Sequence, residues 1–550
     1  AVREVGNPTI LATFTVIAAL IPMGMVGGMM GPYMSPIPIL GSVAMLISLF
    51  AAFAFTPWLT NKLKPSLANL NESAEKEHRQ AAKIEKFFRG IIIPLIKDAR
   101  KGYAFLFGII IVFFLCLILF ATKSVKVKML PLDNKPEFNI VINFPEGTDL
   151  TTTANFTHDL ASRMAQVDDV KDLQTYIGTA SPFNFNGLVR HSYLRQYPWQ
   201  ADIQIQLRED RERTSHEVAA EARENLTPLA KKAGARIQIV EMPPGPPVLQ
   251  SVVGEIYGPD EETRRQLAKD LTQIFEQSDR LGDVDNLLEA DHKILRFKVD
   301  AEKAQRNGIS VEDVNRALDI AMGGYIIGDI KANAFLDPTD IVIQVPLSVR
   351  SQINRLIQLP VTNRMGNTVA LSELVSFAYA LEDKPIYHKD LKPVEFVTAE
   401  TVGELAAPVY GQFHVEQLLA DSGYQAPDKV VPSTWWFTEP ETTKESYIVW
   451  GGEWTVTWET FHDMGIAFMG ALVLIYIVIV AQFGNFLLPA IIMAPIPLTL
   501  IGILPGHWLL GADFTATSMI GFIALAGIIV RNSILLVDCS REYVLSGLSV

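Results

Sequence analysis

Gly527-Ile528-Ile529-Val530-Arg531-Asn532-Ser533-Ile534-Leu535-Leu536-Val537-Asp538 places a single arginine inside an aliphatic run. From Phe514 to Val530 nothing upstream of it is charged. A helix of roughly 20 apolar residues crosses a bilayer, so 514–537 reads as a membrane span. The arginine lies about two helical turns inside the end marked by Asp538, too deep for comfortable snorkelling. Intramembrane arginine costs at least roughly 2.5–3.5 kcal/mol on insertion scales and marks a functional site by default. A guanidinium keeps its proton. Arg531 therefore cannot carry the proton, but it can hold a carboxylate charged and release it when that carboxylate is protonated. The bland alternative is a structural anchor neutralised by a neighbouring helix.

Working outward, the same segregation of charge recurs. Between Val5 and Asn61 there is no Asp, Glu, Lys or Arg, which predicts two spans, about Pro8–Met30 and Ile39–Leu59. A third is expected at Tyr103–Thr122, and two more at Met464–Phe483 and Pro489–Leu510. The loop from Lys62 to Gly102 is rich in Lys and Arg, the signature of a cytoplasmic loop. Within it Glu72–Phe88 reads as an amphipathic helix. Counting crossings puts the charged middle of the chain outside the cytoplasm.

Composition agrees. Of the 550 residues 49% are hydrophobic and 19% charged, against about 25% charged in a soluble domain. The net charge of −13 argues against a nucleic-acid partner, which would bring a basic stripe. Cys116 and Cys539 both fall in apolar segments, so no disulfide framework is expected. The start at Ala1 and stop at Val550 read as those of an internal fragment of a longer polypeptide.

From 123 to 461 short β-branched runs alternate with helical ones. Phe138–Phe144, Ile203–Leu207, Ile237–Glu241 and Ile341–Val345 read as strands. Thr151–Ala165, Ser215–Lys232 and Thr263–Gln277 read as helices. Recurring strand–helix–strand units of this size suggest repeated ferredoxin-like βαβ modules. Pro243-Pro244-Gly245-Pro246-Pro247 is a rigid linker between two of them. The fold class expected is a multi-pass α-helical membrane protein with a large α+β domain.

Ser518-Met519-Ile520-Gly521-Phe522-Ile523-Ala524-Leu525-Ala526-Gly527, running into the arginine segment, resembles the tenth transmembrane helix of the resistance–nodulation–division (RND) efflux pumps, in their hydrophobe/amphiphile branch. Ala481-Gln482-Phe483-Gly484-Asn485-Phe486, followed by Pro489 and Ala494-Pro495-Ile496-Pro497, is similar to their eighth-to-ninth helix junction. Phe144-Pro145-Glu146-Gly147-Thr148 resembles the opening of their second periplasmic domain. Val299-Asp300, Lys303-Ala304 and Gly308-Ile309-Ser310 resemble a later porter signature. The resemblance covers essentially the whole chain.

It implies a homotrimeric secondary transporter, not an enzyme, in the bacterial inner membrane. Such a pump exports drugs or other amphiphiles on the proton gradient, without a cofactor, alongside a periplasmic adaptor and an outer-membrane channel. The implied plan is two transmembrane helices in 1–60, a cytoplasmic amphipathic linker in 61–102, and a transmembrane helix in 103–122. A periplasmic porter and docking domain follows in 123–461, then three transmembrane helices in 462–537 and the start of a cytoplasmic loop in 538–550. Arg531, with Asn532 beside it, becomes the expected proton-relay site, facing paired aspartates on a helix outside this chain. Many members carry Lys at the position of Arg531.

Ser181-Pro182-Phe183-Asn184-Phe185-Asn186-Gly187 sits where such pumps have a Phe/Gly loop lining the drug pocket, so Phe183, Phe185 and Gly187 are the candidate substrate-binding residues. Aromatic walls suit varied amphiphiles; the plainer reading is that the rings cover a module interface. Met23, Met25, Met29, Met30 and Met34 crowd the end of the first span. Thioethers are soft ligands for Cu(I), though methionine more often serves as adaptable packing. The Gly24/Gly28 and Gly27/Gly31 spacings read as close helix packing, and His462 and Asp463 as interfacial. There is no Walker A sequence. The alternatives are an RND heavy-metal exporter and, from another class, a non-transporting membrane accessory factor on the same scaffold.

Overall fold

The computed structural model describes residues 2–63, 82, 84–130, 133–182, 187–188, 190–242, 245, 248–331, 338–363, 365–403 and 405–547. Among these, five helices are long and apolar enough to cross a membrane: Gly31–Leu63, Ala99–Ala121, Glu453–Phe483, Leu487–Leu510 and Ala516–Leu545. Each covers an expected span. The remaining expected span, Pro8–Met30, is shorter than predicted. Its α-helix ends at Leu20 and tightens into a 3-10 turn over Ile21–Met25. Gly28 takes a φ of +59°, and the Gly27 N–H turns outward to the Asp463 carboxylate at 2.9 Å. Gly27 and Gly28 thus serve a turn rather than a helix–helix seam. The helix Glu453–Phe483 begins well before its apolar stretch, because the strand Tyr447–Gly452 feeds directly into it. Of the proposed amphipathic helix, residues 72–81 and 83 lie outside the described residues; Ile84, Phe87 and Phe88 are helical and exposed.

The chain forms two compact units: residues 1–144, 148–288 and 386–550, and residues 145–147 with 289–385. Residues 289–385, within the middle of the chain, thus form a unit of their own with 145–147. In the first unit two antiparallel-built sheets share one strand order. One sheet runs Val170–Ile177, Gln200–Leu207, Glu137–Asn143, Arg236–Glu241, every neighbour antiparallel. The other runs Ser433–Trp435, Tyr447–Gly452, Val252–Tyr257, Glu395–Thr401, Leu281–Asn286; only its edge strand Ser433–Trp435 pairs in parallel. Leaving that edge strand aside, chain position reads second-third-first-fourth across the first sheet and its reverse across the second.

Alternation explains the strands. Phe138, Ile140 and Ile142 point into one core with Ile203, Ile205 and Leu207, leaving their neighbours to the other face. The helix Ser215–Ala233 covers that core with Val218, Ala219, Ala222, Leu226 and Ala230, a three-to-four spacing. A reciprocal Thr214/Glu217 capping box starts this helix and left-handed Gly234 ends it. The Thr214 amide and hydroxyl hold the Glu217 carboxyl below its ordinary range.

Among its described residues the second unit has three antiparallel pairs: Lys293–Val299 with Val375–Leu381, Tyr325–Ile330 with Thr339–Ile343, and Pro360–Thr362 with Thr368–Ala370. The segment that resembles a porter signature shows why its residues are spaced as they are. Asp300 caps the helix Ala301–Arg306, Gly308 takes a φ of +69°, Ile309 enters the core, and Ser310 forms a capping box with Asp313.

Candidate functional site

A seam of carboxylates joins the two sheets of the first unit. Leu281-Gly282-Asp283-Val284-Asp285-Asn286 is a strand whose alternate residues are buried aspartates. Asp283 receives Arg223 through Nε at 2.9 and 3.0 Å and Nη2 at 2.9 Å, and the Ile239 N–H at 2.9 Å. Burial raises the Asp283 carboxyl above its ordinary range against the opposing pull of Arg223. Asp285 receives Arg236 at 2.8 Å, Asn143 at 3.1 Å and Gln238 at 3.2 Å. Each of these donors comes from the first sheet or its helix and each carboxylate from the second; the Asn286 N–H adds a bond to Asp285 at 2.8 Å from within the second sheet.

Two cavities of about 120 Å³ each flank this seam. One is bordered by Lys128, Arg190, His216, Arg223, Glu400 and Glu453, at the level where the helix Glu453–Phe483 begins. Its methionines, Met129 and Met242, supply apolar wall. The other is bordered by Asn139, Gly187, Arg190, Arg195, Gln250 and Asp285. Arg190 belongs to both. Its Nη2 donates to Glu400 at 2.7 Å, and Glu400 also accepts from the Ser251 hydroxyl. Arg195 bridges Asp202 at 3.0 Å and Asn143 at 2.7 Å. Burial pushes the Asp202 carboxyl up while Arg195 pulls it down.

Of the residues expected at a substrate pocket, Gly187 lines the second cavity; Phe183 and Phe185 lie outside the described residues. Arg531 sits half-buried on the helix Ala516–Leu545, between the core residues Val530 and Ile534. Among the described residues it has no hydrogen bond or ion pair. Asn532 is exposed. Gly527 on the same helix meets the helix Val2–Leu20 closely: a Cβ there would lie 3.1 Å from both the Val16 Cα and the Ala19 Cβ. Met23, Met30, Met34, Met129 and Met464 share one buried core, with Met45 and Met519 against it, whereas Met25 and Met29 are exposed. Sequence reasoning missed Arg190, Gln250 and the two aspartates. The signal available was Asp283-Val284-Asp285: two carboxylates spaced to share one face of a strand.

Residues 1–549 match the AcrB/AcrD/AcrF family. Swarming motility protein SwrC of Bacillus subtilis is 21% identical over all of this chain and 48% of its own length. Cobalt-zinc-cadmium resistance protein CzcA of Cupriavidus metallidurans is 25% identical over 54% of this chain and 26% of its own. Multidrug resistance protein MdtC of Pantoea ananatis is 21% identical over 98% of this chain and 49% of its own. A crystal structure of a heavy metal efflux pump superposes with a TM-score of 0.70 at 18% identity, covering 98% of this chain and 50% of that one; at that identity the likeness is one of fold. The chain spans about half the length of SwrC and MdtC. With its apolar helices, its paired sheets and a family match over nearly every residue, the chain belongs to the AcrB/AcrD/AcrF family of RND transporters.

Proposed function

We propose that this chain is part of a proton-driven exporter of amphiphilic compounds, with its two sheets as repeated ferredoxin-like porter modules and the cavities between them as the transport pocket. The observation that carries this reading is the seam itself. Two modules of like topology are held together by ion pairs, not by a shared apolar core, and enclose cavities between them. Such polar interfaces separate and re-form at lower cost than apolar ones, which is what a pocket that opens and closes needs. Arg531, with Asn532 beside it, answers a carboxylate supplied from outside this chain; protonation of that acid releases the pair and shifts the helix. In this reading the protein sits in the inner membrane as a homotrimer, with its porter modules in the periplasm and an adaptor and outer-membrane channel completing the path. Accumulation of a fluorescent lipophilic cation in an efflux-deficient host expressing the full-length protein with both partners tests it; unchanged accumulation defeats the amphiphile reading.

A second reading is a metal exporter. It is favoured by the methionine-lined core beside the first helices and by the names of CzcA and the superposed pump. Among the described residues no cluster of three or more His, Cys, Asp or Glu is placed to hold a metal ion, so the cargo there would be a soft ion taken by thioethers. Growth of the same host on Cu(I), Ag(I) or Zn(II) separates the readings.

A further inference from the structure

Gln250 is 2% exposed, and among the described residues neither its Oε1 nor its Nε2 has a hydrogen-bond partner. A buried donor or acceptor left unmade costs about 1–3 kcal/mol, and native proteins keep few of them. This one lies on the wall of the cavity that Gly187 and Arg190 also line. Arg190 contributes a second open group there. Its Nη2 is taken by Glu400, while its buried Nη1 has no partner among the described residues. Because Glu400 already balances the guanidinium charge, Nη1 offers a donor rather than an unmatched positive charge. Of the other charged groups on this wall, Asp202 keeps its Oδ2 without a partner among the described residues, while Asp285 and Arg195 are occupied. Asp285 is filled by Arg236, Gln238 and Asn143, and Arg195 by Asp202, Asn143 and two backbone carbonyls.

The cavity thus presents two open acceptors, Gln250 Oε1 and Asp202 Oδ2, and two open donors, Gln250 Nε2 and Arg190 Nη1, with room for several atoms. Oε1 and Nε2 belong to a single planar carboxamide. Its natural complement is another amide with N–H and C=O on one side, a primary amide or a lactam, whose N–H meets Oε1 while its C=O meets Nε2. A carbonyl oxygen has a second lone pair, which suits the Arg190 Nη1. An ester matches the donors but leaves Oε1 unmet, and a hydrocarbon leaves every one of these groups unmet. We infer that this cavity recognises an amide group on the exported compound through Gln250, with Arg190 Nη1 supporting the amide carbonyl. The inference rests on reading the cavity as the transport pocket.

The test compares 6-hexylpiperidin-2-one, a lactam that holds N–H and C=O on one side, with its lactone 6-hexyloxan-2-one, which differs only in O against N–H. Binding to the full-length protein in lipid nanodiscs is measured after correction for partition into empty nanodiscs. Wild type should prefer the lactam by about tenfold, the worth of one hydrogen bond with a buried partner. Gln250→Leu should bring the two ligands within about twofold while keeping the thermal midpoint, since an apolar side chain removes the unmet groups. Gln250→Met repeats the comparison should the leucine variant fold poorly. Equal binding by wild type, or a preference that survives both substitutions, overturns the amide inference and leaves the pocket reading standing. If neither ligand binds, the pocket reading fails and the inference falls with it.

Discussion

Arg223 and Asp283 join the module of one sheet to the other by three guanidinium contacts of 2.9–3.0 Å onto a carboxylate that is 0% exposed. Arg223 rides on the helix Ser215–Ala233 of one module, and Asp283 on the outer strand of the other. Desolvating two charges offsets most of their attraction, yet removing one partner strands the other in the interior.

Arg223→Ala should therefore destabilise the protein by about 3–5 kcal/mol, the usual result of breaking a buried pair. Thermal unfolding in detergent reads this directly. The double variant Arg223→Met, Asp283→Leu should regain most of the loss. If the double variant is as unstable as the single one, the stranded charge is not the cause.

Gly452 makes the junction between the strand Tyr447–Gly452 and the helix Glu453–Phe483, at φ +76° and ψ −139°. A Cβ at this position would stand 2.5 Å from the Gln250 carbonyl oxygen. That oxygen is backbone and cannot swing away. Gly452→Ala should thus cost more than Gly234→Ala, which shares a φ of +76° but has open space around it and should cost only about 1–2 kcal/mol of left-handed strain. Equal shifts in the thermal midpoint would show that conformation, not the close approach, governs the site.

The spans were legible because charge vanishes for whole bilayer widths, and a single arginine stands out against that silence. Strands such as Glu137–Asn143 were legible because Phe138, Ile140 and Ile142 alternate. The early stop of the first helix was not, since Gly27 and Gly28 look like packing glycines until Asp463, 436 residues later, takes the Gly27 N–H. Nor was Gln250. Its isolation arises from what surrounds it in space, and a lone glutamine after a proline-rich stretch carries no local pattern.

Gly527→Leu should separate the helices Val2–Leu20 and Ala516–Leu545, because even a Cβ there meets Val16 and Ala19 at 3.1 Å. Overpacking of this kind typically costs 1–3 kcal/mol. Gly521→Leu, on the same helix with nothing within 4 Å of a Cβ, serves as the control. A lowered thermal midpoint for the first and an unchanged one for the second is expected. Equal effects would mean that leucine disturbs the helix itself and not its contact.

Arg531 separates the transport mechanism from mere anchoring. It stands half-buried between Val530 and Ile534, which are committed to the core, and among the described residues it has no ion-pair partner. A structural arginine in a membrane helix would be dispensable once replaced by a smaller apolar residue, because the insertion penalty of the charge disappears with it. An arginine that keeps a distant carboxylate ionised is not dispensable. Arg531→Ala in the full-length protein should then fold and insert at least as well as wild type, yet lose efflux by tenfold or more. Arg531→Lys keeps a positive charge as a compact, rotatable ammonium in place of the rigid guanidinium fork. It should retain a substantial part of the activity, since the role asks for charge more than for bidentate geometry. Substrate accumulation measured at equal membrane abundance reads all three proteins together. If the alanine variant exports as wild type does, the residue is an anchor and the proton couples elsewhere. If the lysine variant is as inactive as alanine, the partner requires the fork and must lie within direct hydrogen-bond reach of it.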